Sequence, residues 1–204
     1  MVYLFFGLPG CGKTTLMVQR IIKYHKRFPK RNIYCNVGLN LPYVTFIKNS
    51  DVGMFNLHDG ILFIDEASLF ADSREYKNFD RSKVQYFLLH RHYGVDIELY
   101  TQQWDAVDKK IRVITDKVFY VYKPLISGLF ITKYYRIPYG IIIPDPHKDG
   151  NSEKLGEIVQ GYAKPSIIVR LFCHRLFRPR YYKYFDSWSA PVLPELPTVS
   201  VDSK

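Results

Sequence analysis

Residues 3–16 read YLFFGLPGCGKTTL, an apolar run followed by a glycine-rich turn and then by a helix-forming segment. Tyr3 to Phe6 has the aromatic and aliphatic composition of a short strand. From Thr14 to Phe28, apolar residues recur at the three- and four-residue spacing of one helix face. The stretch therefore predicts strand, loop and helix in direct succession.

The loop itself fits the pattern G-x-x-x-x-G-K-[ST] between Gly7 and Thr14, which is typical of a Walker A motif. Glycines let the backbone wrap so that its N–H groups and the helix N-terminus face the β-phosphate of a nucleotide. Lys13 is expected to neutralise phosphate oxygens, and the Thr14 hydroxyl to bind Mg²⁺. The predicted ATP-binding residues are Gly7, Leu8, Pro9, Gly10, Cys11, Gly12, Lys13, Thr14 and Thr15.

A second motif, ILFIDE, spans Ile61 to Glu66 and has the form of a Walker B strand. Its two acids follow a buried strand, and the carboxyl ends of strands are where ligands bind in parallel sheets. We expect Asp65 to join Thr14 around Mg²⁺, and Glu66 to act as the general base for the attacking water. This interpretation implies ATP hydrolysis. The alternative is that both acids cap the helix that follows.

A further strand, Asp96 to Thr101, ends in two amides. A strand that follows Walker B commonly lies between it and the strand that leads into the P-loop. Gln102 is then expected to reach the γ-phosphate, with Gln103 as the second choice. The alternative is an amide that faces water.

Three arginines are candidates for contacts in trans with the γ-phosphate of a neighbouring subunit. They are Arg74, Arg91 and Arg112. The sequence does not choose among them, and a solvated cation at a helix end is the alternative for each. The predicted catalytic set takes Arg112 together with Lys13, Glu66 and Gln102.

Strands and helices alternate throughout residues 1–122, which requires a mostly parallel sheet with helices on both faces. The predicted strands are Tyr3 to Phe6, Asn32 to Val37, Ile61 to Asp65, Asp96 to Thr101 and Lys117 to Tyr122. With these numbered 1 to 5 along the chain, the expected order in the sheet is 5-1-4-3-2. Helices are predicted from Thr14 to Phe28, from Asp80 to the closing Gly94, and from Ala106 to Ile114. The fold class is therefore an α/β P-loop NTPase with a five-stranded core.

Beyond Pro124 the sequence changes to aromatic, β-like segments interrupted by prolines. Strands are expected at Leu129 to Arg136 and at Ile167 to Phe172. We interpret residues 124–188 as a β-rich appendage to the core at 1–123, within a single domain at 1–188. Residues 189–204 are rich in Pro, Ser, Val and Glu with no period, which predicts a flexible tail.

Composition excludes several classes of protein. With 47% hydrophobic residues and 24% charged residues in 204 positions, the chain can bury one sizeable core and is not disordered. The three cysteines are far apart, which argues against a disulfide framework. The longest uncharged stretch, residues 32–47, is too short and too polar to span a bilayer. We therefore expect no transmembrane segment and no signal peptide.

The net charge of +10 is unevenly distributed, since residues 1–50 contain eight Lys or Arg and no acid. Basic ends around an acidic middle favour a polyanionic partner, either nucleic acid or an anionic membrane face, although a basic surface can also serve solubility alone. On the first helix, Arg20, Lys23, Lys26 and Arg27 are expected to form a basic outer face, or simply a solvated one. Near the C-terminus, basic residues alternate with aromatic ones between positions 170 and 184. That pattern suits single-stranded nucleic acid, although packing of the rings on the sheet would explain it equally well.

One longer block, LHRHYGVDIELYTQ at residues 89–102, carries a family resemblance. Further matching segments are the loop at residues 7–15, Ile61 to Glu66, Phe70 to Arg74, Asp108 to Arg112 and Tyr184 to Ser187. On these segments the chain resembles the zonula occludens toxin-like (Zot) family over about residues 2–188. This family includes the filamentous-phage assembly ATPase.

The resemblance implies an ATPase of the FtsK/HerA branch of the P-loop fold that uses ATP and Mg²⁺. It implies a homo-oligomer, in the form of a ring, that exports single-stranded DNA or nucleoprotein during phage assembly. Phage coat or membrane assembly proteins would be its partners, in the host cytoplasm or at the cytoplasmic face of the inner membrane. Relatives usually continue into a transmembrane helix, which is not expected here.

Three other functions remain open at this point. The protein could be a soluble genome-packaging ATPase of an icosahedral virus. It could be a scaffold that ATP binding closes into a ring, with little turnover. A small-molecule kinase is the third, but no arginine-bearing lid is evident between the loop and Asp65.

Overall fold

The computed structural model describes residues 1–70, 81–104, 106–124, 129–137 and 173–186. Its strands are β1 (Val2–Phe6), β2 (Asn32–Cys35), β3 (Thr45–Phe46), β4 (Gly60–Ile64), β5 (Val95–Thr101), β6 (Lys117–Tyr122), β7 (Ile131–Ile137) and β8 (His174–Phe177). Its helices are α1 (Lys13–Arg27), α2 (Ala67–Phe70), α3 (Arg81–Leu89), α4 (Lys109–Val113) and a 3-10 helix (Arg178–Tyr184).

All eight strands form one sheet in the order β3-β2-β4-β5-β1-β6-β7-β8. The strands from β3 to β6 in this order are parallel. Within it, β6, β1, β5, β4 and β2 follow one another, which confirms the predicted order of the five core strands. The parallel α/β fold class is therefore confirmed, and β3 adds a short edge strand.

The described part of the β-rich appendage extends this same sheet. Strand β7 pairs antiparallel with β6, and β8 pairs antiparallel with β7. The strand predicted at Leu129 to Arg136 is confirmed with a shift of one or two residues. The strand predicted at Ile167 to Phe172 and the tail at 189–204 lie outside the described residues. Because β7 is antiparallel to β6 and β8 is antiparallel to β7, β8 ends at the same edge of the sheet as the parallel strands.

The core has two layers because side chains alternate across the sheet. In β1, Leu4 and Phe6 face one layer and Phe5 faces the other. The first layer is covered by residues of α3 and α4, including Phe87 and Ile111. The second is covered by residues of α1 and of the 3-10 helix: Leu16, Met17, Ile21, Tyr181 and Tyr184. Helices thus lie on both faces of the sheet, as the sequence predicts.

Two of the predicted helices are shorter than expected. Helix α3 ends at Leu89, and the chain turns through Gly94, whose φ is 65°. Leu88, an apolar residue of this helix, is exposed. Helix α4 begins at Lys109, not at Ala106. No helix in the described ranges combines the length and apolarity that crossing a membrane requires.

Arg20 corrects the predicted basic outer face of α1. Its Nε donates to Oε2 of Glu98 at 2.6 Å, its Nη2 also donates to Oε1, and its guanidinium lies 4.8 Å from the centre of the Phe5 ring. Glu98 is only 2% exposed. A carboxylate buried in a central strand needs a charged partner, and α1 supplies it from its sheet-facing side. Lys23, Lys26 and Arg27 are exposed, as expected.

Candidate active site

The candidate site lies at the edge of the sheet where the parallel strands end. Because β4, β5 and β1 are adjacent, the segments that follow them meet at this edge. A cavity of about 650 Å³ opens there. The loop after β1 lines it with Pro9, Gly10, Gly12, Lys13, Thr14 and Thr15. Other elements line it with Glu66, Gln102, Arg178, Tyr182, Phe185 and Asp186.

The loop depends on glycine for its shape. Gly10 and Gly12 have φ angles of 69° and 92°, in the left-handed region that side chains disfavour. A Cβ on Gly12 would lie 2.3 Å from Oγ1 of Thr132, a residue of β7. That Thr132 hydroxyl donates to the backbone carbonyl of Cys11 at 2.6 Å. The appendage thus packs directly against the loop.

Six of the nine predicted nucleotide-binding residues line the cavity, and three do not. Gly7 precedes the turn, and its amide bonds the Thr101 carbonyl. Leu8 is exposed at the surface, and Cys11 is buried in the core. The pattern alone could not separate the residues that line the cavity from those that do not, because it fixes the backbone path and not the direction of each side chain.

Lys13 is held at the loop. Its Nζ donates to the carbonyls of Gly7 at 2.9 Å and of Leu8 at 3.3 Å, and the residue is only 6% exposed. The ammonium group thus sits among loop carbonyls beside the cavity. From this position it can exchange neutral carbonyl partners for the charged oxygens of a phosphate.

Thr14 and Asp65 come together across the site. The Thr14 hydroxyl donates to Oδ2 of Asp65 at 2.5 Å. Burial raises the pKa of Asp65, while the Thr14 hydrogen bond opposes the rise. Asn36, at the end of β2, fixes the Asp65 backbone, since its side chain bonds both the amide and the carbonyl of that residue. A hydroxyl beside a carboxylate is a hard-oxygen pair that suits Mg²⁺, so these residues fit the metal.

Glu66 and Gln102 form a second contact in the cavity. Nε2 of Gln102 lies 3.3 Å from both carboxylate oxygens of Glu66. Glu66 also has a φ of 49°, a left-handed conformation that is uncommon outside glycine and that often occurs at functional sites. Gln103, the second choice, is exposed and does not line the cavity.

Neither of the two described candidate arginines lines this cavity. Arg112, on α4, packs with its guanidinium 5.8 Å from the centre of the Trp104 ring. Arg91 donates to Asp116 at 3.2 Å, near the opposite edge of the sheet, where β5 and β6 begin. Arg74 lies outside the described residues. Their contacts with a neighbouring subunit stay predictions.

Sequence reasoning missed the contribution of residues 178–186. Arg178 donates to the Gly10 carbonyl at 3.2 Å, and Tyr182, Phe185 and Asp186 line the cavity with it. The alternation of basic and aromatic residues pointed to this segment but indicated a different partner. No local signal could have paired it with a loop more than 160 residues away, since β8 brings the two together only in the folded sheet.

Comparison with known proteins identifies relatives of this chain. The family profile described as Zonular occludens toxin (Zot) matches residues 45–160, which is more than half of the chain. No curated protein sequence matches this chain.

Two solved structures share the fold. The N-terminal domain of zonular occludens toxin from Neisseria meningitidis is 19% identical, with a TM-score of 0.59 over 91% of this chain and 98% of that one. The genome packaging NTPase B204 from Sulfolobus turreted icosahedral virus 2, in complex with ATP-gammaS, is 16% identical. Its TM-score is 0.50 over 66% of this chain and 91% of that one.

Proposed function

The chain belongs to the zonular occludens toxin (Zot) family, and we propose that it is a Mg²⁺-dependent ATPase that drives phage or virus assembly. One observation carries the enzymatic part of this proposal. Lys13, Thr14, Glu66 and Gln102 follow three adjacent strands and line one cavity, and the buried Asp65 accepts a hydrogen bond from Thr14 beside it. A cation, a hard-oxygen pair and a carboxylate beside an amide form a complete set for hydrolysis of a phosphoanhydride.

In the proposed mechanism, Lys13 binds the β- and γ-phosphate oxygens of ATP. Thr14 and Asp65 would hold Mg²⁺. When bound, this ion neutralises charge that develops on the phosphates. The rigid support of Asp65 by Asn36 keeps the carboxylate at the position where Thr14 meets it.

Glu66 is the proposed general base. It accepts a proton from water as the water oxygen bonds to the γ-phosphorus and the bond to the β,γ-bridging oxygen breaks. Gln102 holds the Glu66 carboxylate through its amide and can exchange that contact for a γ-phosphate oxygen. This exchange would let the strand β5 respond to the state of the nucleotide.

A role in moving DNA is supported by charge. The net charge is +10, and the described residues Lys23, Lys26 and Arg27 form an exposed basic face on α1. Such surfaces bind phosphate backbones. Family membership favours export of single-stranded DNA during assembly of a filamentous-type phage. The likeness to a genome packaging NTPase supports packaging into an icosahedral particle as the second candidate.

The remaining parts of the proposal concern organisation. We infer a single domain at 1–188 with a tail at 189–204, assembled into a ring. In a ring, Arg112 is the arginine we propose to contact the γ-phosphate of the neighbouring subunit. Coat or membrane assembly proteins of the phage are the proposed partners, at the cytoplasmic face of the host membrane or in the cytoplasm.

Two substitutions test the enzymatic part. Lys13→Ala is expected to abolish ATP binding, because the cation that offsets the phosphate charge is lost. Glu66→Gln is expected to bind ATP within about two-fold of wild type but to lower turnover at least about 100-fold, since the amide cannot accept the proton. Titration calorimetry and phosphate release measure the two effects. Unchanged turnover in Glu66→Gln would remove Glu66 from this role.

DNA dependence separates a motor from a nucleotide-gated scaffold. For a motor, single-stranded DNA should raise the rate of phosphate release at low salt, and about 0.2 M salt should weaken that stimulation. Double-stranded DNA is the matched comparison and would favour packaging if it stimulates more. Negligible turnover with both DNAs, together with ATP-dependent oligomerisation, would support the scaffold.

A further inference from the structure

The wall of the cavity formed by residues 178–186 has no part in the chemistry described so far. We propose that this segment binds the nucleoside end of the nucleotide, with the Tyr182 and Phe185 rings against the base and the Asp186 carboxylate accepting hydrogen bonds from the sugar or the base. The inference rests on the proposed function, since it concerns the same bound nucleotide.

The order of the strands gives the nucleotide a direction. Glu66 follows β4 and Gln102 follows β5, so both lie on one side of the loop after β1. The segment 178–186 follows β8, on the other side of that loop. Both sides line one cavity, with Lys13, Thr14 and Thr15 between them. A nucleotide whose terminal phosphate faces Glu66 therefore has its nucleoside directed towards residues 178–186.

Several contacts fasten this wall to the rest of the site. The Arg178 amide donates to the Phe130 carbonyl at 2.8 Å, and the Arg178 side chain donates to the Gly10 carbonyl at 3.2 Å. The amide of Asn40 donates to the Tyr184 carbonyl at 2.8 Å. The wall is thus attached to the loop, to β7 and to the segment after β2. A fixed wall costs little ordering entropy when a ligand binds.

The chemistry of the wall suits a nucleoside. Tyr182 is 46% exposed although it lies on a helix that packs on the core, so its ring is available at the cavity. Phe185 is partly buried beside it, and Asp186 is exposed. Aromatic rings stack on nucleobases, and a carboxylate accepts from hydroxyl or amino groups. These are the groups that a nucleoside offers and that a phosphate chain lacks.

Tyr182 belongs to the alternating segment that suits single-stranded nucleic acid, and Phe185 follows that segment directly. Their position in the cavity with Lys13 favours the base of the nucleotide instead, because a strand of DNA does not need the phosphate loop. Every base presents an aromatic face, so stacking is tolerant of base identity. We therefore expect ATP and GTP to bind with affinities within about three-fold of each other.

The test compares two probes on the full chain: a non-hydrolysable ATP analogue and inorganic triphosphate, both with Mg²⁺. Tyr182→Ala and Phe185→Ala are each expected to raise the Kd of the analogue about ten-fold, the size of one lost base–aromatic contact. The Kd of triphosphate should stay within two-fold, because it has no base. Phe177→Ala, at an exposed ring on β8 that does not line the cavity, is the matched control and should change neither Kd. Circular dichroism confirms folding, and Tyr182→Trp should retain affinity for the analogue.

The outcomes distinguish the two proposals. If wild-type protein binds neither probe, the proposed function itself fails. If wild type binds both probes but the analogue binds Tyr182→Ala and Phe185→Ala as tightly as wild type, only the nucleoside wall is overturned. Equal losses for the analogue and for triphosphate would also overturn it, since that result indicates damage to the loop. Weaker binding of single-stranded DNA with unchanged nucleotide affinity would assign the rings to DNA.

Discussion

The two sides of the cavity differ in how the chain builds them. On one side, Asp65, Glu66 and Gln102 each lie one or two residues beyond a buried parallel strand. On the other, residues 178–186 arrive through two antiparallel strands added to the end of the sheet. The first side carries the groups proposed for chemistry, and the second carries the rings and the carboxylate proposed for recognition.

From this difference we expect that turnover and nucleotide affinity can be changed separately. The acidic side is fixed by the parallel core, which the P-loop fold shares among many proteins. The aromatic side is fixed by packing of β7 and the 3-10 helix on the loop and on α1. Substitutions on the acidic side should alter turnover, and substitutions on the aromatic side should alter affinity. Their shared centre is the loop, where a single change should disable both.

Gly12→Ala is expected to have the largest effect, because Gly12 lies in the loop on which both sides of the cavity depend. The new Cβ would lie 2.3 Å from Thr132 Oγ1 and 2.7 Å from Cδ of Arg178, at a φ of 92°. The left-handed conformation alone costs an alanine about 1–2 kcal/mol, before any overlap is relieved. Relief of the overlap adds about 1–3 kcal/mol to that cost, so we expect loss of ATP binding and a free energy of unfolding lower by about 4 kcal/mol, measured by calorimetry and urea denaturation.

Gly38→Ala is the matched control for that change. An added Cβ there has no atom within 4 Å. Its free energy of unfolding should remain within about 0.5 kcal/mol of wild type. Retention of ATP binding by Gly12→Ala would contradict the close packing of the appendage on the loop.

Glu98→Ala should come next, since it breaks the link between β5 and α1 on which both sides depend. It leaves the Arg20 guanidinium without its carboxylate and the buried Tyr100 hydroxyl without its acceptor, which lies 2.8 Å away. Removing one partner of such a pair costs about 3 kcal/mol in the free energy of unfolding. Urea denaturation measures this loss, provided that the dependence of the free energy on urea concentration is the same for variant and wild type.

Asp96→Ala on the same strand is its control. Asp96 contacts the N-terminus at 2.7 Å and Arg31 at 3.7 Å, but each of these groups is at least one-third exposed. A surface pair of this kind contributes about 1 kcal/mol or less. Equal losses in the two variants would mean that burial of the Arg20–Glu98 pair has no special role.

Gln102→Ala is expected to have the smallest effect, and it separates an effect on turnover from an effect on affinity most directly. The Glu66 carboxylate loses the amide at 3.3 Å that orients it, so turnover should fall about ten-fold. The Kd of ATP should stay within two-fold, which is the reverse of the result expected for Tyr182→Ala. Gln103→Ala, next to it but outside the cavity, should leave both values unchanged. A raised Kd with normal turnover would show that Gln102 binds the nucleotide in its ground state only.

The sequence alone was sufficient to predict the parallel core of the sheet. Its strands are buried on both faces, so their apolar runs are continuous, and the glycine pattern between β1 and α1 is specific. The expected order of the five strands, which rested on the common position of the strand after Walker B, is confirmed. Lys117 to Tyr122 was predicted with the bounds of β6. Helix ends were less well predicted, since Gly94 terminates a turn beyond α3 and not the helix itself.

Arg20 shows why side-chain roles were harder to predict. Helical spacing put Arg20 near the boundary between the sheet-facing and the solvent-facing sides of α1, and its charge suggested the solvent-facing side. The deciding residue was Glu98, which lies 78 positions away and is brought opposite Arg20 by the pairing of β1 with β5. A long-range ion pair leaves no periodic signal on either element, so only the folded sheet reveals it.

By itself, the sequence determined the proposed phosphate end of the site, because each group there is fixed by a neighbouring strand end or by the loop. The remaining side depended on the tertiary structure, since only strand pairing brings Arg178 within 3.2 Å of the Gly10 carbonyl. Local backbone geometry sets the first arrangement, and contacts between distant segments set the second. That physical difference explains why a motif could locate the proposed catalytic groups and why the aromatic wall became evident only in the fold.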